Sequence, residues 1–172
     1  MAVFRGPAGN DVIKRVIGLP GDLVGTSNGR VILNGKAVPT TPLDLLGVPI
    51  SANSPCRAVQ PKVEDGQCLF AAKRERLDGK AHVVLDQIDN PAVDDFEPVR
   101  VPAGHLFLMG DNRDDSADSR IAPEADGMGF VPVEALVGKA MMTFWSTDGS
   151  SSWLLPWTWF SAARWDRIGM RH

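Results

Sequence analysis

Short apolar runs separated by turn residues dominate the hydrophobic pattern of this chain. Residues 12–17 (Val-Ile-Lys-Arg-Val-Ile), 105–109 (His-Leu-Phe-Leu-Met) and 140–145 (Ala-Met-Met-Thr-Phe-Trp) each have the length of a buried strand. Helical periodicity is weak throughout the chain. The pattern therefore predicts a mainly β protein with little helix.

Turn signals separate these runs. Residues 19–22 (Leu-Pro-Gly-Asp) predict a type II turn, because proline presets φ at the second position and glycine supplies the positive φ of the third. Asn34-Gly35 predicts a type I′ hairpin, and Asp78-Gly79 predicts a second hairpin. Tight turns of this kind favour many short antiparallel strands.

A change in composition predicts the domain organisation. From Thr40 to Pro102 the chain is mixed polar and punctuated by proline. We expect a discontinuous β core from residues 1–40 and 98–172, with residues 41–97 forming a smaller inserted β lobe.

Charge and composition exclude several classes of protein. The 172 residues include 18 Lys and Arg and 21 Asp and Glu, which gives a net charge of -3. A protein that binds nucleic acid mainly by electrostatic attraction has a surplus of basic residues, and this chain has none. The apolar stretch at residues 153–160 is far shorter than the about 20 residues that a membrane-spanning helix needs. Cys56 and Cys68 fit either one disulfide or two buried thiols.

The run at residues 12–17 carries two cations on a strand that the pattern buries on both faces. Lys14 shares one face with Val12 and Val16, and Arg15 shares the other with two isoleucines. Loss of hydration lowers the pKa of a lysine, and each unit costs about 1.4 kcal/mol. A neutral lysine is a general base, so Lys14 is a candidate catalytic residue. A lysine that extends from a strand end into water fits the same residues.

A second candidate is the loop at residues 110–120 (Gly-Asp-Asn-Arg-Asp-Asp-Ser-Ala-Asp-Ser-Arg), directly after a predicted strand. Its spacing does not fit an EF-hand calcium loop, which has an oxygen ligand at its third position and glycine at its sixth, where this loop has Arg113 and Ser116. Two arginines among four aspartates predict ion pairs that brace the loop. A solvated loop with weak surface pairs fits the same composition.

Residues 14–22 and 110–120 resemble the two signature boxes of bacterial type I signal peptidases, serine endopeptidases with a Ser–Lys dyad. Residues 129–132 (Gly-Phe-Val-Pro) agree with that family, and the resemblance runs from about Val3 to the last residue. It implies a signal-peptidase-type β catalytic core without cofactor or metal, in which Lys14 is the general base and the Ser116 hydroxyl orients it. It also implies orienting or bracing roles for five charged residues: Arg15, Asp111, Arg113, Asp118 and Arg120.

Two features of the family are missing from these 172 residues. The nucleophilic serine of the family lies upstream of the lysine strand, in a box where serine is followed by methionine and then a proline, and no such box occurs here. The amino-terminal transmembrane anchor is missing too. We therefore expect a truncated chain that carries the base without the nucleophile and is inactive as it stands. A smaller departure, residues 121–128, is expected to lengthen a surface loop.

The resemblance also implies substrates and location. The expected partners are the signal peptides of secreted preproteins, and the full-length family member lies in the inner membrane with its catalytic domain on the periplasmic face. All five tryptophans lie within residues 145–172. They fit a bilayer interface or a local aromatic core, and the resemblance favours the membrane surface. No nucleic-acid partner is expected, and the oligomeric state stays open.

Two other functions fit the same residues. One is a non-catalytic β domain that binds extended peptides by strand addition. The other is a related peptidase that matures conjugation proteins.

Overall fold

Strands carry most of the structure. The computed structural model describes residues 1–6, 9–51, 55–56, 62–141, 147, 150–151, 155, 157–165 and 169. The strands are β1 (Ala2–Arg5), β2 (Asp11–Gly18), β3 (Leu23–Ser27), β4 (Arg30–Leu33), β5 (Lys36–Ala37), β6 (Thr40–Pro42), β7 (Leu46–Pro49), β8 (Lys62–Glu64), β9 (Gln67–Phe70), β10 (Ala72–Leu77), β11 (Lys80–Leu85), β12 (Val99–Arg100), β13 (His105–Met109), β14 (Val131–Pro132) and β15 (Leu136–Lys139). Helical structure in the described residues is limited to α1 (Pro91–Asp94), α2 (Thr158–Ser161) and two 3-10 turns at Pro123–Ala125 and Val133–Ala135. The predicted mainly β class is confirmed.

Contacts divide the chain into two compact units. The first contains residues 1–44 and 71–139, and the second contains residues 45–70 and 140–172. This division differs from the predicted one, because the hairpin of β10 and β11 joins the first unit by pairing β10 with β6. The predicted domain boundaries stay a prediction.

The first unit has three antiparallel sheets. A five-stranded sheet has the order β14-β13-β2-β1-β15, a four-stranded sheet the order β12-β3-β4-β5, and a three-stranded sheet the order β11-β10-β6. In the five-stranded sheet β2 lies between β1 and β13, with Lys14 opposite Ala2 and Arg15 opposite Met109. The lysine strand is therefore an interior strand of the sheet.

Strand β13 separates two apolar clusters. Its side chains alternate between them, with Phe107 and Met109 in the first cluster and Leu106 and Leu108 in the second. The rest of the first cluster is Ile17, Val24, Val31, Val38 and Val101, and the rest of the second is Ala2, Phe4, Met128 and Val131. The prediction of a buried strand at residues 105–109 is confirmed.

The expectation that β2 is buried on both faces is wrong for its first half. Ile13 is 57% exposed, whereas Ile17 is 4% exposed. Val12 and Val16 pack against the second cluster, so the face that carries Lys14 is covered. The first cluster reaches only the end of β2, which leaves Ile13 uncovered on the opposite face.

The predicted turns are all present. Gly21 has φ +92°, and Asp22 N donates to Leu19 O over 3.0 Å, as a type II turn requires. Asn34-Gly35 joins β4 to β5 and Asp78-Gly79 joins β10 to β11, with positive φ at all four residues. These positions follow from local chemistry, since few other residues adopt that conformation readily.

Three further expectations have different outcomes. In the predicted strand at residues 140–145, Ala140 and Met141 are not in a strand, and residues 142–145 lie outside the described residues. Residues 122–126 are exposed as expected for a surface loop, but Met128 packs into the second cluster. Cys56 and Cys68 are joined in a disulfide within the second unit.

Among the described residues, no helix combines the length and the apolar character needed to cross a bilayer.

A buried ion pair ties the β10–β11 hairpin to the loop at residues 110–120. Arg113 Nη2 donates to Glu75 Oε1 over 2.6 Å, and His82 Nε2 lies 3.0 Å from the same oxygen. Glu75 is 1% exposed and Arg113 is 2% exposed. Burial raises the pKa of Glu75, but His82 and Arg113 outweigh it and lower that pKa from 4.5 to about 2. The hairpin thus supplies the counter-charge for an arginine of the loop.

Replacing Glu75 tests this connection. Glu75→Gln leaves the Arg113 guanidinium buried without its carboxylate, which is expected to lower the free energy of unfolding in urea by about 3 kcal/mol near neutral pH. The exposed Glu134→Gln is the matched control and is expected to change that free energy by less than about 0.5 kcal/mol. Equal unfolding curves for the two variants would contradict the connection.

The difference in stability between the wild type and Glu75→Gln should depend on pH. Because the pKa of Glu75 is depressed on folding, its contribution is complete above the unfolded value of 4.5 and is lost as the pH falls towards about 2. The stability advantage of the wild type over Glu75→Gln should therefore shrink across that range.

Candidate active site

Lys14 lies half-buried in the middle of β2. Its neighbours on the same face, Val12 and Val16, pack against the second apolar cluster. Burial of the ammonium lowers the pKa of Lys14 below its usual value of 10.5. The nearby Arg120 lowers it further, while Asp118 opposes the shift. The structure therefore favours the neutral amine more than water does.

The lysine amine contacts the second candidate residue. Lys14 Nζ donates to Ser116 Oγ over 2.6 Å, although the two residues are 102 positions apart in the chain. Ser116 is itself half-buried, in the loop that follows β13. Folding thus brings the two sequence candidates together, and their catalytic roles stay predictions.

Gly110 sets the position of Ser116. A Cβ atom built on Gly110 overlaps Ser116 Oγ and lies 2.6 Å from Ser116 Cβ. The backbone of Gly110 also donates its N–H to Asp118 Oδ2 over 3.0 Å. The serine can approach Lys14 only because the loop passes this close to a residue without a side chain.

A buried pair within the loop holds its second half. Arg120 Nε donates to Asp118 Oδ1 over 3.0 Å, and Arg120 Nη2 donates to Asp118 Oδ2 over 2.9 Å. Asp118 is fully buried and Arg120 is 6% exposed. This part of the loop is therefore not solvated, and the paired geometry restricts the backbone on the carboxyl side of Ser116.

The other predicted charges find partners outside the loop. Arg15 makes a bidentate pair with Asp111, with both N–O distances 2.8 Å, and so fastens the start of the loop to β2. Arg113 pairs with Glu75 rather than with an aspartate of its own loop. The expectation of pairs internal to the loop is correct for Asp118 and Arg120 alone.

Sequence reasoning missed two residues that shape the site. Glu75 lies 38 positions from Arg113, in a segment assigned to the inserted lobe. Ser119 Oγ accepts the backbone N–H of Leu108 over 2.8 Å and so attaches the loop to the end of β13. The strand pattern gives no signal for either contact, although the position of Ser119 inside the charged loop made it a residue to examine.

An open groove lies beside the amine. Its walls include Val12, Ala117 and Met128, together with the polar side chains of Asn10 and Asp126. Part of the segment at residues 121–128 therefore lines the groove that contains Lys14.

Comparison with known proteins identifies the family. The sequence model of the family described as signal peptidase, peptidase S26, matches residues 1–145. The chain belongs to this family. The two boxes at residues 14–22 and 110–120 both lie inside the matched range.

Relatives in the signal peptidase family agree with this assignment. Signal peptidase I of Pseudomonas fluorescens is 36% identical over 151 residues, which cover 84% of this chain and 47% of that protein. Signal peptidase I of Pseudomonas aeruginosa is 31% identical over 177 residues, covering 99% of this chain and 54% of that protein. Signal peptidase I S of Bacillus subtilis is 32% identical over 139 residues, covering 80% of this chain and 54% of that protein. The chain spans about half the length of these relatives.

A solved structure is also similar. The crystal structure of a signal peptidase I from Enterococcus faecalis V583 matches with a TM-score of 0.40 at 25% sequence identity, covering 80% of this chain and 89% of that chain.

Gly110→Ala tests the packing that positions Ser116. The added methyl group overlaps the serine, so we expect Ser116 to move away from Lys14 and the free energy of unfolding to fall by about 1–3 kcal/mol. Chemical unfolding measures the loss, and a crystal structure of the variant measures the Lys14–Ser116 distance. Gly138→Ala is the matched control, because a Cβ atom at Gly138 meets nothing within 4 Å. Unchanged stability together with an unchanged Lys14–Ser116 distance in Gly110→Ala would contradict this packing.

The protonation of Lys14 is directly measurable. Because burial disfavours the ammonium, we expect the ¹³Cε signal of Lys14 to titrate with a midpoint below 10.5, the usual value for lysine. Its signal is assigned by its disappearance in Lys14→Arg. A midpoint at or above 10.5 would show that burial does not dominate the environment of the amine.

Proposed function

We propose that this chain carries the general-base lysine of a serine endopeptidase that removes amino-terminal signal peptides from secreted preproteins. Membership of the signal peptidase family supports the reaction class. The hydrogen bond of Lys14 Nζ to Ser116 Oγ, beside an open groove, carries the assignment of residues.

Lys14 acts as the general base in this proposal. Its neutral amine accepts the proton of the nucleophilic serine hydroxyl as the serine oxygen attacks the scissile carbonyl carbon. The ammonium then gives that proton to the leaving amine as the peptide bond breaks. Water, deprotonated by the same amine, hydrolyses the acyl-enzyme and restores the serine. A base with a lowered pKa suits both steps, because it is neutral in a larger fraction of molecules.

Ser116 and the charged residues around it position the base. An N–H of Lys14 donated to Ser116 Oγ restricts rotation of the amine and leaves its lone pair for the serine proton. Asp118 with Arg120, and Arg15 with Asp111, hold the loop that carries Ser116. These residues act through Lys14 and contact no reacting atom in the proposed mechanism.

The nucleophile is not one of the residues assigned here. The 172 residues contain no serine followed by methionine and then a proline. We therefore expect the 172-residue polypeptide, assayed alone, to give no serine-dependent cleavage of a preprotein.

Variants of Lys14 and Ser116 test the mechanism in the protein expressed from its own gene. With a preprotein substrate in lipid micelles, Lys14→Ala is expected to lower kcat by about 10³-fold, because a general base contributes about 10²–10⁴. Ser116→Ala should cost less than Lys14→Ala, and the rate should rise with pH to a midpoint below 10.5. The exposed Lys36→Ala is the control and should retain wild-type turnover. A larger loss in Ser116→Ala than in Lys14→Ala would make Ser116 the nucleophile and overturn these roles.

We propose that the second unit contacts the membrane surface on the periplasmic face of the inner membrane. Trp157 is 67% exposed, Phe160 is 65% exposed and Trp165 is 60% exposed. Arg164 lies among them in the chain. Exposed aromatic rings next to a cation are typical of residues that lie at the level of lipid headgroups.

Vesicle binding tests this location. Wild-type protein is expected to co-sediment with vesicles that contain anionic lipid, and Trp157→Ala should release a measurable share of it. Val63→Ala removes an exposed apolar side chain of the same unit, 54% exposed, and should bind as the wild type does. Unchanged binding in Trp157→Ala would count against a membrane contact through this segment.

A further inference from the structure

Three aspartates converge in the first unit, away from Lys14 in sequence. Asp86 follows β11, Asp94 is the last residue of α1, and Asp114 lies in the loop at residues 110–120. One carboxylate oxygen from each residue lies within 4.8 Å of the other two. Asp94 is 6% exposed and the other two are half-buried, so these charges are removed from bulk water.

Two of the carboxylates are fixed by backbone donors and keep one oxygen unused. Asp94 Oδ2 accepts the N–H of Asn90 over 2.6 Å, and Asp114 Oδ2 accepts the N–H of Gln87. In the part of the chain that the structure describes, Asp94 Oδ1 and Asp114 Oδ1 are buried and have no hydrogen-bond partner. A buried carboxylate oxygen without a partner is costly, which indicates that something absent from the polypeptide satisfies it.

The charge of the cluster is only partly compensated. Lys73 Nζ pairs with Asp86 Oδ2, and it is the one cation of the described residues that hydrogen-bonds to a carboxylate of the cluster. Three carboxylates and one ammonium leave two formal negative charges. A divalent cation neutralises both.

The donor atoms and their spacing indicate which cation the three aspartates would bind. All three donors are oxygen, which hard cations prefer over the nitrogen and sulfur ligands of zinc. Three oxygens that all lie within 4.8 Å of one another can surround one ion at no more than about 2.8 Å from each, an upper limit that accommodates the roughly 2.3–2.6 Å of calcium–oxygen bonds. The cluster therefore accommodates calcium, whose flexible coordination tolerates irregular spacing better than the near-ideal octahedron of magnesium does.

We propose that Asp86, Asp94 and Asp114 bind one calcium ion, with solvent completing its coordination. This proposal is independent of the signal peptidase activity, and it departs from the expectation of a chain without metal. Asp114 lies two residues before Ser116, so the ion would join α1 and the end of β11 to the loop that carries the serine. Bound calcium would brace this loop in addition to the pair of Arg15 and Asp111.

Calcium titration of the 172-residue chain tests the site. Chelator-treated protein is titrated with CaCl₂ in a calorimeter at constant ionic strength, and thermal unfolding is followed in parallel. We expect saturable binding of one ion per chain and a rise in Tm of about 3–5 °C at a tenfold excess over Kd, reversed by EGTA. Asp94→Asn keeps the shape of the side chain and should weaken calcium binding at least tenfold. The exposed Asp44→Asn is the matched control and should bind as the wild type does.

Each result decides the proposal. Absence of saturable calcium binding in the wild type, or equal affinity in Asp94→Asn, would overturn it, and equal affinity for Mg²⁺ would overturn the assignment to calcium. If Asp94→Asn does not fold, Asp114→Asn replaces it with the same expected loss. Reversal of the Tm shift by EGTA would show that the folded chain binds calcium, and the loss in the aspartate variant would locate the ion at this cluster.

Discussion

The site in the first unit depends on one constraint: the Lys14 amine is held where its ammonium form is poorly solvated. Lys14 lies on an interior strand between two valines, and a serine hydroxyl 2.6 Å away fixes the direction of its side chain. Neither condition arises from local sequence alone. The face that carries Lys14 is covered because Val12 and Val16 pack against the second cluster, and the hydroxyl is available because its loop passes close to Gly110. The chemistry proposed for this chain follows from that combination of partial burial and fixed direction.

Ion pairs hold the loop from three directions. One joins Arg15 of β2 to Asp111 at the start of the loop, one closes the loop on itself through Asp118, and one reaches the β10–β11 hairpin through Glu75. Buried pairs of this kind add little net stability, since desolvation offsets most of their attraction. Their effect is to make other loop conformations costly, because any rearrangement leaves a buried charge without a partner. The ion pairs therefore fix the geometry of the loop more than they stabilise the unit.

Sequence predicted the turns well and the long-range environment poorly, while the roles of the site residues stay predictions. Asn34-Gly35 and Asp78-Gly79 were predictable because a positive φ restricts the choice of residue locally. The meeting of Lys14 with Ser116 was expected from the family resemblance, since no short pattern encodes a contact across 102 positions. The exposure of Ile13 was not predictable from the sequence pattern. An apolar side chain in a strand indicates only that burial would be favourable, and Ile13 is buried only if another part of the fold packs on its face of the sheet.

Strand β13 belongs to two apolar clusters at once, and this has a consequence for how the first unit opens. Its residues alternate between the clusters, and the loop with Ser116 begins directly after its last residue, Met109. Melting either cluster removes about half the side-chain contacts of their shared strand, so we expect the two clusters to unfold together. The loop that follows β13 should then keep Ser116 beside Lys14 until the unit unfolds cooperatively, although the amine itself is open to the groove.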